Sequence, residues 1–178
     1  MLTIISGTNR TGSNTRKVVQ NALDLAKSRD IETNLIDLSD LSNDFIHNQQ
    51  YNGDNLPDWL KSLQEKSLIP AHHFLIIAPE YNGSIPGYLK LFIDAISVHR
   101  LKECFVGKSA ALVGVATGRA GNLRGLDHLS SIMNHIGCHV LPGSLPISKV
   151  ASVMNEDGQL DQGTRDVLGS LIEKLVKA

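Results

Sequence analysis

Apolar residues fall along this chain in two alternating rhythms: short unbroken runs, and longer stretches in which they recur at helical spacing. Residues 2–5, Leu-Thr-Ile-Ile, have strand length, and Val18, Val19, Ala22, Leu23 and Ala26 then share one helical face up to about Asp30. Residues 31–38 read as a second strand. A polar stretch over 39–57 is long for a connector and predicts an excursion over the surface or toward a partner subunit. Residues 58–68 carry Leu60, Leu63 and Leu68 and read as a short helix, followed by a third strand over 73–78. That run is continuously apolar, as in a buried parallel strand. A helix over 86–96 follows, with Ser84 as expected N-cap and Pro86 in its first turn. Leu89, Phe92, Ile93 and Ile96 make one face of it, while Leu91 and Ala95 lie elsewhere, a two-sided pattern suited to a helix shared between core and interface. A fourth strand spans 109–116, and Leu123, Leu126, Leu129, Ile132, Met133 and Ile136 define a helix stopped by Gly137. Residues 138–141 read as a short fifth strand, 142–160 as turn-rich chain. Leu168, Leu171, Ile172, Leu175 and Val176 close the chain as a helix.

Strands alternating with helices predict a doubly wound parallel sheet in a three-layer α/β sandwich. Five strands favour the flavodoxin-like order 2-1-3-4-5, in which the loops after strands one, three and four converge at the carboxyl edge. The 178 residues fit a single domain. Those three loops are the polar, glycine-rich ones: residues 6–15, 79–87 and 117–122.

The first loop leads from a strand into a helix, so free backbone N–H groups and the positive end of the helix dipole favour an anion there. Thr8, Ser13, Asn14 and Thr15 supply hydrogen-bond donors, and Arg10 a planar cationic fork suited to phosphate. Gly7 and Gly12 have the spacing G-x-x-x-x-G, but Ser13 and Asn14 stand where a triphosphate loop needs Lys and Ser/Thr. The dinucleotide pattern G-x-G-x-x-G is broken by Asn9. What remains suits one phosphate monoester, or a capped helix with no ligand.

Composition narrows the partners. Seventeen basic against eighteen acidic residues give a net charge of −1, which argues against nucleic acid or an anionic membrane surface. No apolar run approaches membrane-spanning length, and Cys104 and Cys138 lack metal or redox spacing, so a cytoplasmic home with inert core thiols is expected. His72 and His73 lack a third ligand at usable spacing, and His135 and His139 straddle Gly137, so no metal is expected.

Two motifs then stand out. Gly7-Thr8-Asn9-Arg10-Thr11-Gly12-Ser13 matches G-[ST]-x-R-x-x-S, and Pro79 through Lys90 matches P-E-Y-N-G-S-x-P-G-x-L-K without interruption. With a weaker match at 117–121, the chain resembles the NAD(P)H-dependent FMN reductase family, which includes quinone, azo-dye and chromate reductases. The resemblance implies non-covalent FMN, NAD(P)H as co-substrate, a small-molecule electron acceptor and a homodimer or homotetramer. It places the FMN phosphate at Thr8, Arg10, Ser13 and Thr15, with Asn14 beside them. Pro79, Glu80, Tyr81, Asn82 and Gly83 would line the isoalloxazine, and Thr117, Gly118 and Gly121 its other side. Family members often continue after Leu-Lys with Asn and an acidic-Trp pair, where this chain runs Leu91-Phe92-Ile93-Asp94-Ala95; the missing Trp bears on the subunit contact or substrate wall more than on FMN.

Such chemistry needs no side chain as nucleophile or obligatory acid, because the cofactor supplies it and the protein binds and orients. Backbone N–H groups of residues 81–83 are expected at the polar edge of the flavin, with Gly83 and Gly121 permitting close approach. Glu80 either tunes the flavin or is a solvated loop carboxylate, and Arg119 either meets a nicotinamide-nucleotide phosphate or is an exposed loop arginine. The alternative function is a flavodoxin-like one-electron carrier or a non-enzymatic FMN-binding module. A near-neutral chain with 4% aromatic residues favours the reductase.

Overall fold

A computed structural model describes residues 1–52 and 55–178; Gly53 and Asp54, within the polar excursion, lie outside the described residues. Strands β1 (Leu2–Ser6), β2 (Thr33–Asp37), β3 (His73–Pro79), β4 (Ser109–Val115) and β5 (His139–Val140) lie in the order 2-1-3-4-5, every pairing parallel. This is the expected topology. The helices are α1 (Asn14–Lys27), α2 (Asp58–Leu63), α3 (Gly87–Val98), α4 (Leu101–Phe105), α5 (Leu123–His135) and α6 (Gln162–Leu175).

The unbroken apolar strands are explained by burial on both faces, with alternate residues serving different cores. In β3, Phe74, Ile76 and Ala78 join one cluster with α3 and α5, and Leu75 and Ile77 join another with α1 and α6. Strand β4 divides likewise, Ala110 and Leu112 on one side, Ala111, Val113 and Val115 on the other. Helix boundaries follow local chemistry. Ser13 caps α1 by accepting from the Arg16 N–H at 3.1 Å, Asp161 caps α6 from the Thr164 N–H at 2.7 Å, and Gly137 follows α5 at φ +95°.

Several expectations need correction. Ser84 does not cap α3: Pro86 precedes the helix without a side-chain cap, because Ser84 already closes a turn with Tyr81. After Arg100, held at φ +55°, the chain re-enters a helix as α4. The helix at 58–68 is α2 followed by a π-helical turn, Gln64–Leu68. Gln64 is fully buried and donates from Nε2 to the carbonyls of Ile96 (2.9 Å) and His99 (2.7 Å), which ties the turn to the end of α3. The outer strand beside β4 comes in two pieces, β5 and a sixth strand β6 (Leu145–Ile147), because Pro142 and Gly143 interrupt it. The excursion is pinned to the body. Phe45 is fully buried, with ring centroids 6.1, 5.6 and 6.4 Å from Trp59, Tyr88 and Phe92. Among the described residues no helix is long and apolar enough to cross a membrane.

Candidate functional site

The carboxyl ends of β1, β3 and β4 open onto a cleft of about 390 Å³, within the roughly 300–1,000 Å³ usual for small-molecule sites. Arg10, Ser13, Asn14 and Thr15 line one end, Pro79, Glu80, Tyr81, Asn82 and Gly83 one wall, and Thr117 and Gly118 the other. Thr8 and Gly121 lie outside the lining. Val115, Ala116 and Val150 complete it.

The β1–α1 loop is ordered by its own residues and by β3 beside it. Gly7 donates to the Ile77 carbonyl at 2.8 Å, and a Cβ there would stand 3.0 Å from that oxygen and from Leu89 Cδ2, so the close approach needs glycine. Thr8 is buried beneath the loop, its hydroxyl accepting from the Arg10 N–H (3.2 Å) and pairing with the Tyr81 hydroxyl (2.9 Å). Ser13 is used by the Arg16 amide. Among the described residues, the Asn14 and Thr15 amides have no hydrogen-bond partner and Arg10 makes no ion pair. Two free first-turn amides beside an exposed guanidinium form an anion site. Asp37, at the end of β2, is paired with Arg16 at 2.6 Å and not with Arg10.

The second wall is a two-residue turn. Tyr81 N–H donates to Ser84 O at 2.9 Å and Ser84 N–H to Tyr81 O at 3.1 Å, with Asn82 at φ +53° and Gly83 at φ +79°. Positive φ at both central residues is the type I′ turn that Asn-Gly favours. The Tyr81 amide is therefore engaged, and among the described residues the Asn82 and Gly83 amides are the free donors. Glu80 N–H bonds the Val115 carbonyl at 3.1 Å, joining this wall to β4.

The third loop is braced from beyond β6. Lys149 N–H donates to Gly118 O (2.9 Å), Val150 N–H to Ala116 O (3.0 Å), and Ser148 Oγ to Arg119 O (2.6 Å). Gly121 serves this packing: at φ +59°, a Cβ would stand 2.7 Å from Pro146 Cβ. Val150 was missed by the sequence reading, since only this long-range pairing brings it to the cleft. Cys104 and Cys138 are free and buried well away in the core, and burial pushes their thiols up to about 11 and about 12.

The cleft thus offers free donors and a cation at one end, and, between 79–83 and 115–118, a slot for a flat group with backbone donors on its wall. These residues fit a mononucleotide with an extended ring. The comparisons agree. The family model of NADPH-dependent FMN reductase matches residues 1–152. A quinone reductase of Pseudomonas putida is 28% identical over 174 residues, covering 96% of this chain and 90% of the relative. An FMN-dependent NADPH-azoreductase of Staphylococcus aureus is 27% identical over 161 residues, 87% of this chain and 80% of the relative. Among solved structures, the flavoenzyme NAD(P)H:(acceptor) oxidoreductase FerB from Paracoccus denitrificans aligns with a TM-score of 0.75 at 25% identity, covering 98% of this chain and 97% of that one. The chain belongs to the NADPH-dependent FMN reductase family and is an oxidoreductase with FMN as cofactor and NAD(P)H as co-substrate.

Proposed function

We propose that the cleft binds FMN with its phosphate at Arg10, Ser13, Asn14 and Thr15. The isoalloxazine lies between Pro79–Gly83 and Thr117–Gly118, with Thr8 and Gly121 supporting the walls from behind. The observation that carries this reading is the combination of an Arg10 without an ion pair among the described residues, free first-turn amides and a backbone-lined slot. When bound, FMN supplies the hydride acceptance from NAD(P)H and the delivery to a second substrate. The chain's own residues bind and orient. Arg10 and the Asn14 and Thr15 amides hold the dianion, and the Asn82 and Gly83 amides stabilise negative charge at the ring edge. No acid or base of the lining needs to move a proton.

The acceptor is a small electrophile such as a quinone, an azo compound or a free flavin, as the names of the relatives suggest. A one-electron carrier fits less well. Tyr81 is the single aromatic of the lining, and its hydroxyl is tied to Thr8, which leaves a ring face open to nicotinamide. We further propose a homodimer or homotetramer through α3, supported by the groove between α3 and α5, whose rim carries the partly exposed Leu101 and Ile132. A monomer by light scattering at micromolar concentration would count against it. Two free cysteines suit the cytoplasmic location we assign. The test of function is to titrate FMN into the purified protein and add NADH or NADPH without oxygen. Flavin fluorescence should fall, the bound flavin should bleach, and a quinone should restore its colour. Unquenched fluorescence sinks the proposal.

A further inference from the structure

The wall formed by Pro79–Ser84 has few bonds of its own: the Tyr81–Ser84 pair closes its turn, Glu80 reaches Val115, and the Tyr81 hydroxyl pairs with Thr8 across the cleft. Its position comes from behind. Asn122, immediately before α5, is fully buried, and its Nδ2 donates to the carbonyls of Ala78 and Pro79 at 3.0 Å each. Only the amide's N–H edge can face two carbonyls, so the orientation of the side chain is fixed. Its Oδ1 is buried and has no hydrogen-bond partner among the described residues.

Two further observations mark this as a built arrangement. Asn122 occupies an N-cap position, where asparagine ordinarily accepts from a first-turn amide, yet it makes no such bond and turns its amide toward β3. Its φ of +67° is one that asparagine tolerates and most side chains do not. Two glycines also clear its space: a Cβ would stand 3.0 Å from Asn122 Cβ at Gly114 and 2.1 Å from Asn122 Oδ1 at Gly125. The same helix holds the far end of the wall. His128, about one and a half turns along α5, places Nδ1 2.7 Å from Ser84 Oγ. A serine hydroxyl both donates and accepts, so this contact survives either protonation state of the imidazole.

We infer that α5 is the positioning element for the flavin-ring wall, with Asn122 fixing its base and His128 its far end. Neither residue lines the cleft. The inference rests on the reading of the cleft as an FMN site. Removing the Asn122 amide leaves the Pro79 carbonyl without that donor and the Ala78 carbonyl with its ladder bond to β4 alone, and the strand end shifts to compensate. The Asn82 and Gly83 amides move with it, whereas the Arg10 end does not.

The test compares dissociation constants for FMN and for riboflavin, which lacks the phosphate, by fluorescence quenching. Asn122→Ala should weaken both ligands by the same factor, about 10- to 100-fold. His128→Ala, an exposed change, should weaken both by about 3- to 10-fold. His128→Asn, which keeps a group able to bond Ser84, should restore most of that. Arg10→Ala should weaken FMN alone. Gly125→Ala, which displaces the Asn122 side chain from outside the cleft, should reproduce the Asn122→Ala loss, and the double variant should lose no more than either. Asn122→Asp should bind riboflavin, which has no phosphate to titrate, poorly at neutral pH and recover as the acid protonates and becomes a donor, a pH dependence absent from the unmodified protein with that ligand. Unchanged affinities in Asn122→Ala and His128→Ala, a loss confined to FMN, or additive losses in the double variant overturn the inference. An unmodified protein that binds neither ligand overturns the FMN reading instead. Should Asn122→Ala fail to fold, as circular dichroism would reveal, the His128 pair decides.

Discussion

The loop leaving β1 and the turn leaving β3 face each other across one cleft, yet they are held in different ways. The first is held largely by its own residues, Thr8 under the Arg10 amide and Ser13 capping α1, with Gly7 anchored on the Ile77 carbonyl of the adjacent strand. The second depends on distant partners, Asn122 and His128, more than forty residues away in sequence. The difference follows from what each end presents. A phosphate is met by charge and by amides that a helix start leaves free in any case, so local order suffices. A ring edge is met by two amides whose position depends on where a strand stops, so the strand end itself must be fixed.

Four changes test that contrast, and the largest effect belongs to the ring side. Gly114→Ala would push a Cβ against the Gly121 carbonyl and displace the whole third loop with Asn122. A loss of about 3 kcal/mol, or about 6–12 °C in Tm, is expected in a thermal melt, together with lost flavin quenching. Arg10→Ala should lower FMN affinity by about 10- to 100-fold with no change in Tm, the charge-assisted contact being made only to ligand. Added salt should weaken FMN binding in the unmodified protein and much less in this variant. Ser13→Ala removes the cap of α1 and should lower stability by about 1 kcal/mol, read as a Tm shift of about 2–4 °C. Tyr81→Phe cuts the one side-chain hydrogen bond that joins the two sides among the described residues and is expected to be mildest, about 0.5 kcal/mol, because Thr8 keeps the Arg10 amide. A larger effect from Tyr81→Phe than from Gly114→Ala would mean that the walls are set across the cleft and not from behind.

The sequence made the sheet order legible because β1, β3 and β4 are largely apolar runs, each followed by a polar, glycine-rich loop. Ser13 was legible too, as a capping residue directly before a helical stripe. Ser84 misled for a physical reason: Asn82-Gly83 is a hairpin signal, and a turn closing on Ser84 outweighs its use as a cap. Asn122 and Val150 were opaque in their roles because both depend on pairings that only the folded sheet creates. The break between β5 and β6 was half visible, in Pro142 and Gly143. That the chain would return to the same side of β4 was not.

That break has its own consequence. A chain arriving at the β4 side of the sheet meets ladder segments of two and three residues, the second containing Pro146. Such a border is a poor template for strand addition. Crowded copies of this protein, folding together, find no continuous ledge there on which cross-β growth begins.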